Sequence, residues 1–250
     1  MPLNRNSASR LYAFLISLPG HQDNTQNLSA WADALGIMES DTSRQARLVS
    51  EQLATLSREL DHIREGMKSA NFSPHLYTKA LAAFDAAFSP MYLSSTWNHV
   101  RQQLKPEHML ALQFCGEILP DEEDEIQQAD LDEISSLLAE LESLAAKSDL
   151  IPERLRRLIE TQVAQIRAAV ASYKIAGAKV LREAVRASYG ELVEAKDVIT
   201  EHKNSPEVSK LAEVWRKVNA VADAALKVDG VVQLGQKAWL FIESVIKGAA

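Results

Sequence analysis

The sequence predicts an all-α protein: a multi-helix bundle around one long helix at about 152–189, with a compact N-terminal helical unit and a C-terminal helical hairpin. Three observations carry that expectation. Apolar residues recur at spacings of three and four through most of the chain, the period of a helix face. Ala, Leu, Glu, Lys and Arg dominate while Gly and Pro number nine and eight, a composition of good helix formers with few breakers. No run of alternating apolar and polar residues is long enough to define a strand.

The long helix is the organising element. Asp149 offers an N-cap and Pro152 sits near the first helical position, where its missing N–H costs nothing. Leu155, Ile159, Val163, Ile166, Val170 and Tyr173 follow on one face, and Val180, Leu181, Ala184 and Val185 resume it after Gly177. A glycine costs about 1 kcal/mol inside a helix, so a rod continuous through Gly177 to Tyr189 is expected, roughly 57 Å long at about 1.5 Å per residue. Between Pro152 and Gly190 stand eight basic residues and three acids. The preceding stretch, Asp121 to Leu150, holds eleven acids and one base, Lys147. A basic helix face is one mark of a nucleic-acid binder, but an acidic neighbour in sequence favours internal neutralisation.

Three divisions are expected: 1–120, 121–202 and 203–250. In the first, a helix from Ser7 to Leu18 has its cap at Ser7 or Ser9 and stops at Pro19-Gly20. A second covers Leu28 to Leu35. Asp41-Thr42-Ser43 caps a longer one whose Val49, Leu53, Leu56, Leu60, Ile63 and Met67 form a heptad seam of nearly three repeats. The seam suits burial in the protein's own bundle, with an intermolecular coiled coil as the alternative. Pro74 opens the next helix, with Tyr77, Leu81, Phe84 and Phe88 on its stripe. Leu93, Trp97, Val100 and Leu104 mark another that Pro106 ends. Met109, Leu110, Phe114 and Ile118 form the apolar face of the last.

The run Asp121–Glu125 lacks the alternate acids and central glycine of a calcium loop and reads as a solvated helix start, since acids stabilise helix N-termini. Leu131, Ile134, Leu138, Leu141 and Leu144 give the following helix its face, and a short joint predicts antiparallel pairing with the long helix. One more short helix is expected over Glu191–His202. In the third division, Leu211, Val214, Trp215, Val218, Val221, Ala222, Ala225 and Leu226 form the strongest amphipathic stripe. Asp229-Gly230 is a turn signal. The helix after it is apolar nearly all round, with Trp239, Leu240, Phe241 and Ile242 at its centre, so it is either sandwiched or meets something apolar outside the fold.

The single Cys115 excludes an intrachain disulfide and every cysteine-based zinc pattern, and its apolar neighbours suggest a buried, inert thiol. Net charge is −7, which argues against a general nucleic-acid binder. No stretch approaches the roughly 20 apolar residues of a membrane span, and the Leu11–Leu18 run lacks a signal-cleavage site. A bacterial cytoplasmic protein is expected. Phosphate-binding loops, dinucleotide fingerprints, nucleophile elbows and zinc-protease motifs are absent, and neither cofactor nor metal is expected.

One pattern touches chemistry. Arg101 and His108 are separated by six residues, a spacing that resembles the Arg-x(4–6)-His signature of the HEPN ribonucleases, which are also all-helical. That resemblance implies an arginine and a histidine acting on an RNA phosphodiester; Pro106, between the two, would break a helix presenting both.

The favoured expectation is a non-enzymatic helical protein–protein interaction protein, an adaptor, accessory subunit or regulator. It binds another protein or itself through a helical face, with Trp215, Trp239, Leu240, Phe241 and Ile242 as contact residues. The alternatives are membrane docking through 207–247 and the RNA-cleaving toxin.

Overall fold

Prolines, glycines and cap residues divide the chain into helices. The computed structural model describes residues 4–148 and 150–227, and among them are eleven α-helices and no strand. The protein is all-α. Contacts fall into two units: residues through Glu122 together with Lys174–Gly177, and residues from Glu123 to Tyr173 together with those from Ala178 onward.

The first unit contains α1 (Ser7–Ile16), α2 (Asn27–Ala34), α3 (Thr42–Ser69), α4 (Thr78–Phe88), α5 (Trp97–Arg101) and α6 (Pro106–Ile118). The cap of α1 is Asn6, not a serine. Its side chain accepts from the N–H groups of Ala8 and Ser9, and Ser9 Oγ accepts in return from the Asn6 N–H. Asp41 caps α3 by accepting from the Arg44 N–H at 2.7 Å. Pro74 opens a single 3-10 turn before α4, and Pro106 begins α6 instead of merely ending α5.

α3 is the spine of this unit. Val49, Leu53, Leu56, Leu60, Ile63 and Met67 are fully buried in one core with Leu11, Trp31, Leu81, Phe84, Phe88 and Leu112. The heptad seam is therefore internal and has no face left for an intermolecular coiled coil. Trp31 sits edge-on to Phe88 and Trp97, with ring centroids 5.9 and 5.3 Å away. α2 and α5 cap each other. The N–H groups of Asn27 and Leu28 donate to Ser95 O and Leu93 O, and those of Trp97 and Asn98 donate to Thr25 O and Asp23 O. Backbone carbonyls thus satisfy first-turn amides that side chains satisfy elsewhere. Arg10 is buried and pairs with both Glu59 and Glu122 at 3.1 Å.

The second unit contains α7 (Gln128–Lys147), α8 (Glu153–Ala176), α9 (Lys179–Glu194), α10 (Lys196–Glu201) and α11 (Pro206–Ala225). Here the expected rod at 152–189 is corrected. Gly177 adopts φ +73°, in the left-handed region, and the chain leaves one helix and enters another. α9 then folds back along α8: Gln162 and Gln165 donate to the two oxygens of Glu191 at 2.8 and 2.9 Å, Ser188 bonds Gln165, and Arg154 pairs with Asp197 at 2.6 Å. The partner of each residue moves down the sequence as the first moves up, which is the register of an antiparallel hairpin. Helix-period stripes cannot reveal this break, because the periodicity resumes in phase on its far side.

Ion pairs close the second unit into a ring of four long helices. α7 meets α8 through Arg156, which donates to the carbonyls of Ala145 and Ser148, and through Arg167–Glu142 at 3.1 Å. α9 meets α11 through Arg182–Asp223 at 3.1 Å. α11 returns to α7 through Lys210–Glu140 at 2.8 Å and through Lys217, which holds Asp130 and Glu133 at 2.8 and 2.6 Å. The arrangement is an up-down-up-down four-helix bundle. Neutralisation of the basic stretch is internal, but the acidic segment supplies a small part of it. Its carboxylates mainly serve the lysines of α11, while Arg154, Arg157 and Arg182 find Asp197, Glu153 and Asp223.

The acidic run is not a helix start; α7 begins at Gln128. Its first four acids are held by partners instead. Asp121 accepts from the Arg5 N–H at 2.9 Å, Glu122 pairs with Arg10, buried Glu123 accepts from the Ala178 N–H at 2.5 Å, and Asp124 pairs with Lys227 at 2.7 Å. Asp149, the Asp229-Gly230 turn and the last helix lie outside the described residues.

Candidate functional site

The sequence pointed to Arg101 and His108, and the structure gives them separate partners. Arg101 ends α5 on the surface, with its guanidinium on Asp23 at 2.9–3.0 Å. His108 lies in the first turn of α6 and is 6% exposed. Its Nδ1 stands 2.7 Å from Gln103 O, and its ring sits edge-on to Phe84 at 6.4 Å. A surface cleft of about 450 Å³ opens beside His108, lined also by Lys79, Ala82 and Ala83 of α4 and by Gln102, Gln103 and Lys105. Arg101 is not part of that lining.

The expected contact residue Trp215 is corrected. It is 1% exposed, within a core that includes Leu211, Val214, Val218, Val221 and Ala222 of the same helix. The apolar stripe of α11 from Leu211 to Ala225 is buried in the core of the second unit. Trp239, Leu240, Phe241 and Ile242 lie outside the described residues. No described helix is long and apolar enough to cross a membrane. Among the described residues no group of His, Cys, Asp and Glu has the arrangement of a metal site.

The exposed apolar surface that sequence reasoning missed is on α6. Of the expected apolar face Met109, Leu110, Phe114 and Ile118, Met109 and Ile118 are half-buried against the core, while the fully buried positions are Leu112 and Cys115, with His108, Gly116 and Leu119 beside them. Leu110 and Phe114 point outward, 66% and 41% exposed. The remaining face of Phe114 rests on Phe72, with ring centroids 5.2 Å apart. α6 is apolar round most of its circumference, so its period does not say which side is buried. The one signal was the pair of acids: Glu107, Leu110, Phe114 and Glu117 fall at spacings of three, four and three, and both glutamates are exposed.

Titration of the second unit's surface groups follows its ion pairs. The hydrogen bond from Arg154 holds Asp197 below the ordinary carboxylate range, and that from Arg167 does the same for Glu142. Hydrogen bonds to Glu140 and Glu213 raise Lys210, and those to Asp130 and Glu133 raise Lys217. Burial pushes the Cys115 thiol up to about 11, in keeping with the expected inert cysteine.

Compared with protein-family models, curated proteins and solved structures, the chain matches none.

Proposed function

We propose that this is a helical interaction protein, an adaptor or accessory subunit of the cytoplasm, whose α6 receives a helix from another protein. The observation that supports the reading is the outward Leu110–Phe114 pair, one turn apart on α6, between exposed Glu107 and Glu117. Two large apolar side chains at i and i+4 form an anchor patch of the kind that fills a partner's pocket. The glutamates select the partner. Neither has an ion pair among the described residues. Two copies of this stripe laid antiparallel would bring Glu107 against Glu117, like charges in register. The fitting partner is a helix with an apolar centre and Lys or Arg at its flanks.

The test is a synthetic amphipathic helix of that design, titrated into the whole chain and followed by fluorescence anisotropy. Binding that weakens with added salt, and about thirtyfold or more in Leu110→Asp or Phe114→Ala, supports the reading. Equal binding by wild type and both variants, or none by wild type, overturns it.

A further inference from the structure

We propose that the cleft beside His108 binds inorganic hydrogen phosphate. At about 450 Å³ it falls within the usual range for small-ligand sites, roughly 300–1,000 Å³. Its charged lining residues are Lys79 and Lys105, and no carboxylate lines it. Gln102 and Gln103 add amide groups, and Ala83 gives an apolar wall. α6 begins here with Lys105 as its N-cap residue, which supplies no capping side chain; Glu107, in the same first turn, lies outside the lining.

His108 turns a cationic surface into a specific one. The Gln103 carbonyl can only accept, so the Nδ1 that meets it carries the proton. The lone pair of the ring then lies on Nε2, which has no hydrogen-bond partner among the described residues. A 94%-buried imidazole with one nitrogen fixed by the backbone and the other free is a held, oriented acceptor. Hydrogen phosphate matches it atom for atom: a P–OH donates to Nε2 while the charged oxygens meet the lysines. Sulfate, which carries no proton near neutral pH, leaves the Nε2 lone pair facing a lone pair.

The experiment follows the His108 ring signal by NMR, assigned by its loss in His108→Gln, as inorganic phosphate or sulfate is added to the whole chain at constant pH and ionic strength. A saturable shift with phosphate, weaker by about tenfold with sulfate, is expected. Lys79→Gln with Lys105→Gln, both at exposed positions, should weaken phosphate binding by about tenfold or more without altering the melting temperature. In His108→Gln, followed through backbone amides of the α6 first turn, phosphate and sulfate should bind alike. Phenyl phosphate, whose dianion carries no P–OH near neutral pH, should bind about as weakly as sulfate, and binding as tight as that of inorganic phosphate would overturn the role given to Nε2. No saturable shift, equal affinity for the two ions in wild type, or indifference to the double lysine change each overturns the proposal.

Discussion

Glu123 and Ala178 are 55 positions apart and joined by a buried hydrogen bond, the Glu123 carboxylate accepting from the Ala178 N–H at 2.5 Å. Ala178 is the N-cap residue of α9, just after the Gly177 turn, so a side chain from the acidic run satisfies a backbone donor at a helix start. Glu123→Ala should destabilise the second unit by about 1–3 kcal/mol, because the donor stays buried without its partner. Glu123→Gln, which keeps an acceptor oxygen and drops the charge, should cost less. Hydrogen exchange at the first turn of α9 reads both; unchanged protection in Glu123→Ala would refute the capping role.

Gly177→Ala separates a hairpin from a rod by the sign of its effect. In a continuous helix, alanine would stabilise by about 1 kcal/mol. At φ +73° it should destabilise by about 1–2 kcal/mol, since a Cβ is crowded in the left-handed region. Denaturant titration with probes in the second unit gives the sign directly.

Arg10 holds two carboxylates at once, one of them Glu59, which is itself buried. Removing the cation takes a buried ion-pair partner from Glu59. Arg10→Ala should cost the first unit about 3–5 kcal/mol, and the double change Arg10→Met with Glu59→Leu should recover much of it. A double variant as unstable as the single one would show that the pair is not what matters.

Cys115 stays a neutral thiol in the folded chain up to about 11, whereas in the unfolded chain it ionises from near 9.0. Its contribution is therefore fully present below 9 and is lost as pH rises from there to about 11, at about 1.4 kcal/mol per unit and so up to about 3 kcal/mol. The stability advantage of wild type over Cys115→Ala should shrink across that window. Iodoacetamide should label the native thiol at the rate of unfolding and no faster.

Leu110→Asp should leave the first unit within about 0.5 kcal/mol of wild type, because the leucine is two-thirds exposed. Leu112→Asp, two residues on and fully buried, should unfold it. Thermal melts of the two variants test which side of α6 is the outer one; equal losses would place Leu110 in the core.

The sequence by itself determined that the protein is helical, that α3 has one apolar seam, and that Cys115 is buried. Each of these follows from residues within a few turns of one another, where a helix is made. Tertiary structure decided the rest. Gly177 could as well have been crossed by a helix as turned at; α9 packing on α8, with Glu123 waiting for the Ala178 N–H, makes it a turn. The apolar circumference of α6 allowed either side inward, and the surrounding helices took Leu112 and Cys115 and left Leu110 and Phe114 in water. The stripe holding Trp215 looked available until α7 and α9 closed over it. His108 was visible as a residue, but its cleft was not, because Lys79 of α4 and the Gln103–Lys105 connection before α6 are brought together only by packing. Local periodicity says which residues can share a face; which face is covered depends on partners tens of residues away, and no spacing encodes them.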